Sequence, residues 1–297
     1  MKLIEKITQR LERALNLDNR RFVKAYNRLL KTSNNIGITS EPYSDKELIV
    51  SLTTYGKRIE SAHMAIESLL QQTMKPNRII LWLSKDEFND DRLPDAIKSQ
   101  QDRGLEVRYC DDYKSYKKLL PTLLANPDAT VITFDDDIIY PADVVEQLYD
   151  AHLQYPEDII CTRCHKITFA PDGNINPYTT WEWETATPVA DNTIFPTGGA
   201  GCLYPAGCFH KDVTDYEKIR HLCPHADDVW FKFMTLLNNR NCRRSYKYDN
   251  FKKTFYCFIS SGDMLMNYNL EQNGNDIQIK NMLEAYPEVM PLLKKQD

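Results

Sequence analysis

Four short apolar runs, separated by stretches with helical patterning, dictate the architecture of residues 48–134. The runs are 48–52, 78–83, 105–109 and 129–134, and the segments near 57–72, 91–102 and 115–125 between them predict helices. A strand–helix–strand rhythm at this spacing demands right-handed crossovers and a mostly parallel sheet. Strands this continuously apolar are buried on both faces, so helices must cover the sheet on each side. Past residue 155 the rhythm changes. Segments 159–169 and 178–189 read as longer, irregular strands, 225–238 as a helix and 276–285 as a last short helix.

The N-terminus is different in kind. Leu3, Ile4, Ile7, Leu11, Ala14 and Leu15, then Phe22, Val23, Tyr26, Leu29 and Leu30, recur at helical steps, broken near 16–19. Residues 1–32 hold nine basic and three acidic residues, a local +6 on a chain of net charge −5. This segment fits a basic amphipathic helix on an anionic membrane face, or an arm packing on the body or on a second subunit. Residues 33–46 read as a linker. An acidic body argues against a nucleic-acid partner. No apolar run reaches the roughly 18 residues of a membrane helix, and the start lacks the apolar core of a signal peptide. Eight cysteines without a disulfide rhythm point to thiols in the cytoplasm.

Val131-Ile132-Thr133-Phe134-Asp135-Asp136-Asp137 is the sharpest motif, a buried strand ending in three carboxylates. Ligands of open α/β sheets bind at the carboxyl ends of strands. Three adjacent like charges repel, and a hard divalent cation relieves that repulsion. Asp135 and Asp137 leave an extended backbone on the same side. A solvated acidic turn opening the helix after Pro141 is the alternative. In Ala226-Asp227-Asp228-Val229-Trp230 two acids open a helix, either as a general base or as ordinary caps. Thr197-Gly198-Gly199-Ala200-Gly201 permits close approach of a ligand, or is simply a tight turn. The lysines of 111–121 sit at a helix start, which suits an anionic ligand or a solvated face. Cys161-Thr162-Arg163-Cys164-His165 matches the haem-attachment pattern, but a strand would send its cysteines to opposite faces and no second pair has zinc spacing.

Five segments in this order, SLTTYGKRI (51–59), DDYKSYKKLLP (111–121), TFDDDIIYP (133–141), GGAGCLYP (198–205) and ADDVW (226–230), resemble nucleotide-sugar glycosyltransferases of the GT-A fold, similar to bacterial enzymes that build capsule, lipopolysaccharide or other surface glycans. The resemblance covers roughly residues 47–285. It implies an α/β, Rossmann-like, mostly parallel mixed sheet sandwiched by helices, with the N-terminal helical arm appended. It implies an arm and linker over 1–45 and a catalytic domain over 46–297, with a nucleotide-binding half (46–140) and an acceptor-side half (141–297). The activity implied is that of a metal-dependent, inverting, hexosyltransferase-type enzyme. It would move a sugar from a nucleoside-diphosphate donor, UDP by default, to a hydroxyl of a glycan or lipid-linked acceptor, in the cytoplasm or peripheral to the inner face of the membrane.

Residue by residue, the resemblance implies that Asp135 and Asp137 hold Mn²⁺ or Mg²⁺ against the donor diphosphate, with Asp136 between them. Thr53, Tyr55 and Arg58 would cradle the nucleoside, with Ser84 and Asp86 as further candidates. Lys118 would lie near the donor, Gly199 and its loop would shape the sugar pocket, and Asp228 would be the catalytic base, with Asp227 the fallback. Trp181 and Trp183 are candidates for stacking on the acceptor sugar, or for the core. Many such enzymes take a further metal ligand from a late histidine; the last one here is His225. A sugar-phosphate nucleotidyltransferase would carry a glycine-rich basic loop after the first strand, where this chain has one glycine. A dehalogenase-type phosphatase would need Thr or Val where Ile139 stands. A membrane-peripheral scaffold would leave the acid and glycine motifs without a role.

Overall fold

The computed structural model describes residues 20–21, 23–43, 46–187, 189–245, 251–257 and 274–295. Its strands are β1 (Leu48–Thr53), β2 (Arg78–Ser84), β3 (Leu105–Cys110), β4 (Thr130–Phe134), β5 (Ile138–Ile139), β6 (Ile159–Cys161), β7 (Cys164–Lys166), β8 (Ile194–Pro196), β9 (Cys202–Tyr204), β10 (Cys242–Arg244) and β11 (Tyr256–Cys257). Its helices are α1 (Ile59–Leu70), α2 (Asp95–Gln101), α3 (Leu120–Ala125), α4 (Val144–Gln154), α5 (Tyr216–Leu222), α6 (Asp227–Leu236), α7 (Phe251–Thr254), α8 (Gly274–Ala285) and α9 (Val289–Lys294).

Seven strands form the central sheet in the order β10-β6-β9-β4-β1-β2-β3. All neighbours are parallel except β9, which runs antiparallel between β4 and β6. The result is a mixed, mostly parallel sheet flanked by helices. The two-residue period of the strands divides the core. Ile79, Val50, Ile132, Leu203 and Ile160 form one row in register across five strands. That row packs against α1, α2 and α4 through Ile66, Leu69, Ile97, Val145 and Leu148. On the opposite face Ile49, Ile80, Val131 and Cys202 pack against Val229, Trp230, Phe233 and Met234 of α6 and Met282 of α8. Each fully buried aliphatic side chain of this kind contributes about 1.5–3 kcal/mol.

Proline sets several boundaries that periodicity misplaces. Pro94 caps α2, so that helix begins at Asp95. Pro121 stands in the first turn of α3, where its missing N–H costs nothing. The preceding Lys114–Lys118 therefore coils as a separate 3-10 turn instead of continuing one long helix. Segment 159–169 divides at Thr162–Arg163 into β6 and β7. Segment 178–189 is not a strand: it starts as the 3-10 turn Tyr178–Thr180 and continues irregularly, and the strands of this region are β8 and β9.

Residues 33–43 are pinned along the body where a free linker was expected. The Gly37 N–H donates to Arg103 O at 2.8 Å and the Thr39 N–H to Pro76 O at 3.0 Å. Helical residues 23–30 lie on α1, with Gln71 Nε2 donating to Leu29 O at 2.7 Å. The first stretch of the basic arm, 1–19, lies outside the described residues. Among the described residues no helix is long and apolar enough to cross a membrane.

Gly201 closes the loop leading into β9 at φ 106° and ψ 120°. A Cβ there would lie 2.7 Å from the Phe134 ring. Gly201→Ala is expected to destabilise the protein by roughly 1–3 kcal/mol, lowering Tm by about 2–4 °C per kcal/mol; an unchanged melting temperature would contradict this account of the loop.

Candidate active site

The carboxyl ends of β1, β2, β3 and β4 share one edge of the sheet, and the reversal of β9 brings its amino end to that same edge. Cys202 lies opposite Thr133 and Cys161, so residues 198–201 hang over the end of β4. The acidic run, the lysine-bearing turn, the glycine loop and the Asp227-Asp228 helix start meet along this edge, and Cys161 ends β6 there as well.

The three aspartates after β4 take different surroundings. Asp136 turns inward and is only 5% exposed. It receives Thr54 Oγ1 and a two-point grip from the Arg58 guanidinium, with Nε to Oδ2 at 3.0 Å. Asp135 and Asp137 keep side-chain exposures of 36% and 30%. Asp137 also meets Arg58, NH2 to Oδ2 at 2.9 Å. Burial and the charge of Asp135 nevertheless push its carboxyl up to about 6. Burial disfavours the charge on Arg58, but Asp136 and Asp137 hold it firmly protonated. Tyr140 fastens the turn, accepting from the Asp135 N–H at 2.8 Å and donating to Gly199 O at 2.7 Å.

Lys118, on the 3-10 turn before α3, is buried and joins two motifs. Its Nζ lies 3.2 Å from Asp135 Oδ1 and 3.0 Å from Asp227 Oδ2. Desolvation opposes its charge, and Asp135, Asp227 and Asp228 overcome that and raise its pKa well above the ordinary range. Lys117 is likewise buried, paired to Asp112 at 2.6 Å. Asp228, in the first turn of α6, accepts the Gly198 N–H at 3.0 Å. Burial first, then the charges of Asp227 and Asp135, push its carboxyl up to about 7 against the pull of Lys118 and the Gly198 N–H. A Cβ on Gly199 would fall 2.5 Å from Asp135 Oδ2, and one on Gly198 would fall 2.9 Å from Asp228 Oδ1. The two glycines thus let the backbone pass between the carboxylates.

The remaining candidates divide by exposure. Tyr55 is 40% exposed with the Arg58 guanidinium 5.4 Å from its ring centroid. Asp86 is exposed, whereas Ser84 is buried and accepts the Asp86 N–H at 3.2 Å. Thr53 donates to Trp82 O at 2.8 Å. His225 lies just before α6, its N–H donating to Gln278 Oε1 at 2.7 Å. Among the described residues no three His, Cys, Asp or Glu side chains group to hold a metal ion. Cys161 and Cys164 are buried at the end of one strand and the start of another, not on opposite faces of a single strand.

Three contributors had no signal in the sequence reading. Thr54 and Tyr140 act through hydrogen bonds to one aspartate and one glycine. Arg163 reaches Thr197 Oγ1 at 3.2 Å and Glu184 at 3.1 Å, tying the glycine loop to the irregular segment after Tyr178. The order Thr-Thr after β1, and a Tyr three residues after the acidic run, are the only traces that could have drawn attention to the first two.

Asp228 and Asp137 hold protons more tightly than carboxylates of an unfolded chain. Their contribution to stability is therefore present below about pH 4 and is lost as pH rises towards 6 for Asp137 and 7 for Asp228. Asp228→Asn keeps an oxygen for the Gly198 N–H and removes this loss. Without divalent metal, the variant is expected to melt above the wild type near neutrality, with the gap closing on acidification to about pH 4. A gap independent of pH in parallel thermal melts would refute the assignment.

No family model matches the chain, and no curated protein matches it in sequence. Its backbone is similar to that of S. aureus TarS residues 1–349 in complex with UDP, at 13% sequence identity and a TM-score of 0.48, covering 83% of each chain.

Proposed function

We propose that this chain is a glycosyltransferase of the GT-A type that uses a divalent cation and a nucleoside-diphosphate sugar, by default a UDP-sugar, and inverts the anomeric carbon. The observation that carries the reading is the division of labour among its carboxylates. Asp135 and Asp137 are accessible at the end of β4, while Asp228, held across Gly198, has a carboxyl pushed up to about 7. Two carboxylates forced together beside bulk solvent suit a hard cation, and water and donor phosphate oxygens would complete its shell. Asp135 and Asp137 would hold Mn²⁺ or Mg²⁺, which when bound offsets the charge of the departing diphosphate.

The rest of the site serves positions and protons. Asp228 accepts the proton of the acceptor hydroxyl as that oxygen attacks the anomeric carbon, and a carboxyl titrating near neutrality is matched to such a task. Gly198 fixes the direction of its lone pairs. Lys118 and Arg58, both committed to ion pairs inside the protein, hold the carboxylates in place; Arg58 and Tyr55 together also present a stacked face to a nucleobase. Asp227, paired to Lys118, sets the start of α6 and so the position of Asp228. The basic arm is assigned to a membrane surface or to self-association, and the bacterial surface-glycan setting stays part of the same proposal.

Calorimetric titration of UDP and GDP, with and without Mn²⁺, into wild type, Asp137→Ala and Asp228→Asn tests the reading. Metal-dependent binding of one nucleotide is expected in the wild type and in Asp228→Asn, and its loss in Asp137→Ala. Asp228→Asn is expected to lower the turnover of sugar transfer by about 10²–10⁴-fold. Absence of nucleotide binding under every condition, or full turnover in Asp228→Asn, would overturn it.

A further inference from the structure

The irregular segment after Tyr178 treats its two tryptophans in opposite ways. Trp181 is 4% exposed, packed edge-on against Phe195 with its indole N–H donated to Asn176 O at 2.8 Å; it belongs to the core. Trp183 is 42% exposed. Its ring is backed by the His165 imidazole, with centroids 4.6 Å apart and planes 30° apart, and Tyr178 meets it edge-on at 5.9 Å.

The backing is built with unusual care for a surface residue. His165 is only 1% exposed, and its Nδ1 accepts the Glu184 N–H at 3.1 Å, so the ring is neutral with its proton on Nε2. Burial and the charge of Arg163 push the imidazole down to about 4, which agrees. Glu184 adopts φ 52°, a conformation that side-chain-bearing residues rarely take. Strain of this kind persists only where its surroundings over-determine it, and it concentrates at binding sites. Glu182 fixes the segment on the other side, in a two-way backbone bridge with Lys166 at 2.8 and 3.1 Å.

Two links tie Trp183 to the catalytic edge. Its neighbour Glu184 pairs with Arg163, which reaches Thr197, and the next residue, Gly198, holds Asp228. Tyr178, in contact with Trp183, also lies within the electrostatic reach of Asp228. A rigid aromatic face flanked by an Arg–Glu pair offers stacking at its centre and hydrogen bonds at its rim. That is the chemistry of a saccharide ring, whose axial C–H groups are apolar and whose equatorial hydroxyls are polar.

Resting on the glycosyltransferase reading, we propose that Trp183, backed by His165, is the acceptor platform and that the acceptor presents a pyranose ring to it. Trp183 is the contact residue, and His165 a positioning residue behind it. The proposal excludes an acceptor whose only recognition element is an open-chain polyol.

Intrinsic tryptophan fluorescence tests this on the full chain, in wild type, Trp183→Ala and Trp183→Phe. The probes are methyl β-D-glucopyranoside, methyl β-D-galactopyranoside and N,N′-diacetylchitobiose, with glycerol and sorbitol as open-chain controls. A saturable change with at least one pyranoside and none with the polyols is expected in the wild type. Because truncating an interface tryptophan removes a dominant contact, Trp183→Ala is expected to weaken that binding at least about tenfold, read by competition calorimetry, and Trp183→Phe less. Metal-dependent UDP binding, which does not involve the acceptor face, is expected to keep its wild-type affinity in both variants, which also reports that they are folded. Undiminished pyranoside binding in Trp183→Ala, equal binding of the polyols, or no pyranoside binding by a wild type that still binds UDP would overturn the platform alone. Loss of UDP binding in the wild type would instead overturn the reading on which it rests.

Discussion

Five carboxylates crowd one edge of this sheet, and a buried lysine and a partly buried arginine hold them there. Asp135, Asp136, Asp137, Asp227 and Asp228 come from two motifs about ninety residues apart. Arg58 grips Asp136 and Asp137 from the β1 side, and Lys118 joins Asp135 to Asp227. Without them, like charges confined at low dielectric would repel by several kcal/mol per pair. With them, the acidic edge closes and α6 docks with its first turn against the glycine loop. The neutralisation is deliberately incomplete: five acids face two cations, and the deficit falls on Asp137 and Asp228, the groups pushed towards neutrality.

The same compensation explains why Lys117 and Lys118 do not lie on a solvated face, as the exposed Lys114 does. Lys117 and Lys118 are buried because internal acids require them. A buried ion pair is a weak source of net stability but a strong source of position, since removing either partner strands the other. In this site position matters more: Lys118 fixes the distance between the end of β4 and the start of α6.

Much of the parallel half was readable because each of β1–β4 is five to seven residues long, apolar throughout and punctuated by helices. The acidic run and the Asp-Asp helix start were readable for a related reason, since charge directly abutting an apolar run marks an element's end. The strands after residue 155 were not. β6, β7, β8 and β9 have three residues each, too few for any period to register, and β9 pairs antiparallel with strands remote in sequence. Residues 178–189 carry aromatic and β-branched residues that mimic a strand, yet Tyr178 and Trp181 pack inward while Trp183 and Val189 are exposed. Nothing local separates Trp181 from Trp183 either; only the fold decides which indole meets Phe195 and which meets water. Thr54, Tyr140 and Arg163 escaped because each makes hydrogen bonds to partners remote in sequence.

The ribbon of β7 and β8 gives this architecture a further property. Lys166 lies opposite Ile194, so the segment between them, which bears Trp183, begins and ends side by side. Its closure is set by the ribbon, and doubling a loop's length costs only about 0.6 kcal/mol in chain entropy. The exposed turn bearing Trp183 can therefore vary with its ends still fixed, whereas Tyr178 and Trp181 are bound into the core and hold the rest of the segment in place. A fold built this way can vary one exposed aromatic face while the strands that carry the acidic run and the glycine loop stay as they are.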